Sequence, residues 1–306
     1  MYRISALTAL YKAVNKIVIH FLYIRLIILN KKVGGEYMKI KSEYIVLPIL
    51  CIGMLLFGYS VLNLNQNTLA TSANASLDNT KIGWGIKREK DHKQPDLGKI
   101  NKELIDKYQG MAMGNANSKK VYLTFDNGYE AGYTQQILDT LKSNNVTATF
   151  FITAHYVNTQ PELVKNMIDN GNIVGNHTVN HYSIPDLDDE KLKKEVMDLH
   201  TAIYEKFGYE MKYMRPPKGE YSERTLALTN SLGYKTVMWS LAYDDWDEKQ
   251  QKGSEYAKSK ILDNLHPGAI ILLHGTSKDN ANVLDEVIKE ARNMGYEFKS
   301  LDEFER

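Results

Sequence analysis

Cysteine is all but absent: the 306 residues contain one, Cys51, and it lies inside an apolar run. The rest of the chain therefore has no disulfide and no thiolate metal site, and any metal it binds is held by His, Asp, Glu or Asn. An excess of positive charge is missing too. Residues 1–62 carry 8 Lys+Arg against 2 acids, which leaves 30 against 35, a net of −5, for residues 63–306. A mildly acidic body with no basic stripe argues against nucleic acid as a partner. At 43% hydrophobic and 25% charged, the composition is that of a globular protein with room for one large domain or two ordinary ones.

Charge is absent from one further stretch. Lys39 and Lys41 precede Ile45–Leu62, eighteen residues without a charge, a length between a signal-peptide core and a membrane span. Downstream, Ala73 and Ala75 in "TSANAS" offer a cleavage pattern of small residues. Leu47 to Cys51 has some likeness to a lipoprotein box, but the apolar run continues past the cysteine. Residues 1–37 form a second, weaker apolar stretch broken by His20 and Arg25, and Met38 followed by lysines is the more natural start. The expectation is export, with the body secreted or held at the membrane by residues 1–62. Residues 63–81, rich in Asn, Ser and Thr, read as a linker.

From Val121 onward strand-like runs alternate with helical patterns. The runs are "VYLTF", "ATFFIT" (148–153), "NIVGN" (172–176), "KYM" (212–214), "KTVMWSL" (235–241), "AIILL" (269–273) and "EFK" (297–299). Residues 189–207 set Leu192, Val196, Leu199, Ile203 and Phe207 on one helical face and stop at Gly208. Ser222 is placed to cap a helix that ends before Gly233, and another stops at Gly295. Seven strands with helical crossovers make an α/β protein with a parallel sheet. No Gly-rich nucleotide turn follows the first strand, so a (β/α) barrel is favoured over a doubly wound sheet. In such a barrel, reactive residues follow the strands.

They do so here. Asp126 follows the first run, His177 and His181 the third in "GNHTVNH", and Arg215 the fourth in "MRPPKGE". Asp245 and Trp246 follow the fifth in "LAYDDW", and His274 the sixth in "ILLHG". On a helix, the i, i+4 spacing of His177 and His181 turns both rings the same way, which suits two metal ligands; the alternative is a pair of capping or core histidines. Two prolines behind Arg215 fix its backbone, as a side chain held for a task requires, whereas a surface ion pair would need no such support. His155, after the second run, is a candidate for substrate contact; His92, His200 and His266 read as structural or solvated.

"TFDNG", "HTVNH", "RPPKG", "DDW" and "LLH" resemble, in order and spacing, the five motifs of the polysaccharide deacetylases. The resemblance covers about residues 82–306 and implies a catalytic domain there, a distorted seven-stranded β/α barrel that removes N-acetyl groups from chitin or peptidoglycan. "WGIKREKDHKQPDLGK" and "TFDNGYEAGYT" are similar to the family's sporulation branch, which deacetylates muramic acid of spore-cortex peptidoglycan and yields muramic δ-lactam. Matched residue by residue, the resemblance implies that Asp126 is the general base, that His177 and His181 are metal ligands, and that Arg215 positions the base. It implies that Asp245 orients His274, the general acid, that Trp246 lines the groove, and that Leu272 packs beside the acetyl group. It further implies one divalent metal ion, zinc, and glycan strands of peptidoglycan as the partner, with no protein partner.

Two positions depart from the pattern. Asn127 stands where most members have an aspartate ligand, and Ala242 where many carry an acid. An amide oxygen still suits a metal, but as a neutral ligand it leaves the ion weakly held and its water more acidic; the alternative is that Asn127 touches only substrate. For the oxyanion, a backbone N–H of Tyr221 or a neighbour after Arg215 is expected. Two other functions fit the same sequence: a general N-acetylglucosamine deacetylase, and a non-catalytic glycan-binding module, whose one support is Asn127.

Overall fold

The computed structural model describes residues 77–306. The targeting segment expected over residues 1–62 and most of the linker expected over 63–81 lie outside the described residues. Among the described residues no helix is long and apolar enough to cross a membrane. The end of the stretch read as linker is docked on the body: Asn79 Nδ2 donates to the Pro185 carbonyl at 3.1 Å, and Lys81 pairs with Asp186 at 2.6 Å.

Among the described residues, nine strands follow in chain order: β1 (Ile82–Gly83), β2 (Lys120–Asn127), β3 (Thr149–Ile152), β4 (Ile173–Asn176), β5 (Tyr213–Met214), β6 (Glu220–Tyr221), β7 (Lys235–Thr236), β8 (Ile270–His274) and β9 (Glu297–Phe298). All seven runs picked out by hydrophobicity contain a strand. β2 has seven of its eight residues buried, because a parallel strand covered on both faces needs a near-continuous apolar run. β1 and β6 form a separate antiparallel ribbon, with Ile82 opposite Tyr221.

The seven-stranded barrel expected from the sequence is distorted, as the family resemblance implies, into a curled parallel half-barrel. Six strands, in the order β7-β5-β4-β3-β2-β8, curl into a parallel half-barrel, and β9 pairs only with Lys120 and Val121. The reason lies in the run 235–241, which pairs with β5 over two residues and then crosses to the other edge. There Ser240 N and Leu241 N both donate to the Ile270 carbonyl, and Leu272 N donates to that of Leu241. The lower part of this seam is filled by single bridges from Met111 to Val237 and from Met113 to Ala269.

The helices cover the outer face of the sheet. Asp189–Phe207 starts at Asp188, whose side chain accepts from Lys191 N, and ends at Gly208 with φ 66°. Its buried stripe contains Leu192, Val196, Leu199 and Ile203, each worth roughly 1.5–3 kcal/mol on burial. Ser222 and Thr225 form a reciprocal capping box for Glu223–Ser231.

The seam between the sheet edges depends on one glycine. Gly268 has φ 74°, and a Cβ there would lie 2.5 Å from the Gly114 carbonyl, which is backbone and cannot swing away. Gly268→Ala is expected to cost about 2–4 kcal/mol in urea unfolding. Gly233→Ala, also at positive φ but with open space around it, should cost only about 1–2 kcal/mol. Equal costs would show that the seam is not tightly packed.

Candidate active site

Register brings the reactive groups together. β2 and β8 run parallel with Asp126 opposite His274, and β4 and β5 with Asn176 opposite Met214, so that His177 and Arg215 emerge side by side. Neighbouring strands lie about 4.8 Å apart, so four functional groups reach one rim directly from strand ends.

Arg215 is fully buried. Its Nη1 donates to Asp126 Oδ1 at 2.7 Å, its Nη2 to Thr124 Oγ1 at 2.8 Å and its Nε to the Val237 carbonyl at 3.1 Å. The guanidinium carbon also sits 4.3 Å from the centre of the Phe151 ring. Burial pushes the Asp126 carboxyl up, but the charge and hydrogen bond of Arg215, together with His177 and His274 nearby, hold the group below the usual carboxylate value. Asp126 is thus ionised at neutral pH with one oxygen engaged and the other free to take a proton. Thr124 was missed in the sequence, although it lies two residues before Asp126 on the same strand face.

The histidine pair meets as expected, but not on a helix. Residues 177–183 are irregular, with Thr178 and His181 at positive φ (67° and 57°). The bend is held from outside: Asn176 Oδ1 accepts from Thr178 N at 2.9 Å, and buried Glu195 accepts from Asn180 N at 2.8 Å. The Nε2 atoms of His177 and His181 end 3.1 Å apart. His177 Nδ1 lies 2.9 Å from the Arg215 carbonyl, which assigns the proton to Nδ1 and leaves the Nε2 lone pair facing inward. Burial pushes His177 down, and burial with the neighbouring His177 pushes His181 down to about 4. Both rings are neutral at pH 7.

On the opposite wall, Asp245 is buried and fully satisfied. Its Oδ1 lies 2.8 Å from His274 Nδ1, and its Oδ2 accepts from His274 N at 2.8 Å and from Asn280 Nδ2 at 2.6 Å. Burial disfavours the charged imidazole, but the charge and hydrogen bond of Asp245, with the charge of Asp126, together raise the pKa of His274. Base and acid are thereby pushed apart in pKa, the pattern that assigns opposite proton-transfer roles. Asn280, on the helix Lys278–Asn293, had no signal in the sequence.

These groups open on a cavity of about 1090 Å³, which Trp246, Leu272, His155, Ala242, Tyr129 and Lys218 help to line. Trp246 is 62% exposed, an aromatic face offered to solvent beside the reactive groups. Tyr221 does not belong to this wall. Its side chain is buried in the β1–β6 ribbon and its hydroxyl donates to Asn101 Oδ1 at 2.6 Å, while Lys218 and Gly219 of the same loop line the cavity. His92, His200 and His266 are structural: each ring bonds a carbonyl or hydroxyl away from the cavity.

The donor set fits a divalent ion. With the His177 proton on Nδ1, its Nε2 faces His181 Nε2 and Asp126 Oδ2, 3.5 Å away, so acceptors converge where a cation satisfies them. His177 and His181 would hold the ion, their geometry fixed by the Arg215 carbonyl behind one ring. Among the described residues no group of three or more His, Cys, Asp and Glu is placed to hold a metal ion. Asn127 is buried, its Nδ2 donates to Thr134 Oγ1 at 3.1 Å, and its Oδ1 has no protein partner. Such an orphaned acceptor is what a ligand oxygen, or one reserved for substrate N–H, looks like. A bound ion of this kind lowers the pKa of water from 15.7 to about 7 and polarises a carbonyl.

Residues 113–237 match the polysaccharide deacetylase family. The chain is 44% identical over 229 residues to the peptidoglycan-N-acetylmuramic acid deacetylase PdaA of Bacillus subtilis, 74% of this chain and 87% of that protein. The solved structure of PdaA, described as a family 4 carbohydrate esterase, superposes with a TM-score of 0.73 over 74% of this chain and 98% of that one. A peptidoglycan-N-acetylglucosamine deacetylase of Bacillus cereus is 30% identical over 201 residues, 64% of this chain and 72% of that protein. The chain belongs to the polysaccharide deacetylase family.

The pKa directions give a test. kcat/KM should rise through the lowered pKa of Asp126 and fall through the raised pKa of His274. Asp245→Asn removes the larger of the two charges that raise His274, so burial then prevails and the alkaline limb should move to lower pH, with kcat down about 10²–10⁴-fold. An unmoved alkaline limb would assign it to another group.

Proposed function

We propose that this chain hydrolyses the N-acetyl amide of muramic acid residues in peptidoglycan, acting on peptide-free residues of spore cortex. The observation that carries the reading is the opposed pair of dyads, Arg215–Asp126 and Asp245–His274, across one cavity that also presents two neutral histidines. Asp126 takes the proton of the attacking water, the carbonyl carbon becomes tetrahedral, and His274 hands its proton to the departing amine as the C–N bond breaks. Acetate leaves, and the freed amine closes on the sugar's own lactyl carboxyl with loss of water, which gives muramic δ-lactam. Zinc bound at His177 and His181 is part of this reading, as is export of the body to the cell wall or the space around the forespore, with residues 1–62 as signal or membrane anchor.

The likeness to PdaA supports muramic acid as the sugar, since it is stronger and covers more of both chains than the likeness to the N-acetylglucosamine enzyme. The latter keeps N-acetylglucosamine deacetylation as the second reading. A non-catalytic glycan-binding role is disfavoured by the two complete dyads. The test is a digest of peptide-stripped cortex glycan with zinc-supplied protein, analysed by mass spectrometry. Muramic residues should lose acetyl and then water, a chelator should stop the reaction, and zinc should restore it. Acetyl loss confined to glucosamine would install the second reading, and no loss from either sugar would leave the binding module.

A further inference from the structure

Of the residues lining the cavity, only Asp126 and Lys218 are Asp, Glu, Lys or Arg. Asp126 is neutralised by Arg215 at 2.7 Å. Lys218 has no carboxylate within ion-pair distance among the described residues, and it is exposed. With Asp245 paired to His274 behind the wall, the cavity carries one uncompensated charge, and it is positive. The two departures from the family pattern act in the same direction, because Asn127 and the cavity-lining Ala242 each withhold an acid. A wall so arranged repels no anion and attracts one.

The backbone beneath Lys218 is fixed. Pro216 and Pro217 precede it, Gly219 N donates to the Pro216 carbonyl at 3.1 Å, and Lys218 itself holds φ 60°. Gly219 is pressed against Trp239, where a Cβ would fall 2.7 Å from the indole. A side chain in a left-handed conformation costs about 1 kcal/mol, and such strain persists only where the surroundings impose it.

We propose that Lys218 is a specificity-determining residue that pairs with the lactyl carboxylate of the reacting sugar and so selects muramic acid over glucosamine. This rests on the muramic acid reading above. The two sugars differ by that one acidic ether, and a cation waiting without a partner is the group that reads the difference. A charge-assisted hydrogen bond of this kind corresponds to about 10- to 100-fold in kcat/KM.

Steady-state kinetics on zinc-supplied protein test it with two substrates: a peptide-free muramic-containing glycan, and the same glycan with its lactyl carboxyl converted to the methylamide. The unmodified protein should prefer the free carboxylate. Lys218→Gln should lower the ratio of kcat/KM for acid over amide about 10- to 100-fold, chiefly through KM, and Lys218→Arg should restore most of it. Added salt should erode the ratio for the unmodified protein but not for the Gln variant. A ratio unchanged in Lys218→Gln overturns the assignment while leaving muramic acid as substrate. An unmodified protein that deacetylates chitooligosaccharide and neither muramic glycan overturns the underlying reading, and the assignment with it.

Discussion

The buried contact between Arg215 and Asp126 governs the rest of the site. Bringing a guanidinium out of water entirely is costly, and it is tolerated because a carboxylate, a threonine hydroxyl and a backbone carbonyl all accept from it. One residue thereby performs two tasks. Its side chain keeps the base ionised and aimed, and its own carbonyl sets the tautomer of His177. Removal of the guanidinium would leave Asp126 buried and unpaired, free to rise in pKa and to rotate toward the histidines. The contact engages one oxygen of Asp126 and leaves the other 3.5 Å from His177 Nε2.

The opposite wall repeats the logic with the sign reversed. There the carboxylate is the fixed partner and the imidazole the reacting group, so burial is outweighed in favour of the protonated ring. In each dyad one member is sealed by hydrogen bonds and the other faces the cavity. That is why neither needs a mobile loop to assemble, and why the parallel register of β2 with β8 places acid against base.

Much of this was legible in the chain itself. Hydrophobic runs located seven of the nine described strands, and Gly208 and Ser222 marked helix limits, because those signals are local. The phase of polar residues after strands found Asp126, His177, Arg215, Asp245 and His274. What escaped depends on contacts distant in sequence. The barrel is distorted where the run after Thr236 leaves β5 and bridges to β8, a change of partner that no periodicity encodes. His177 and His181 have helical spacing but meet through a bend held by Glu195, fifteen residues beyond Asn180. Tyr221 lies six residues beyond Arg215 in a motif-bearing loop, yet the β1–β6 pairing draws it away from the cavity that Lys218 lines.

The central claim is that Arg215 reserves Asp126 for the proton and leaves the ion to the histidines. Asp126→Asn tests it, since the amide keeps the shape and can still accept from Arg215 but cannot accept the water's proton. Zinc titrated into apo-protein by calorimetry should bind with nearly unchanged affinity while turnover falls about 10²–10⁴-fold. A large loss of zinc affinity, with turnover recovered at high zinc, would make Asp126 a ligand and contradict the account.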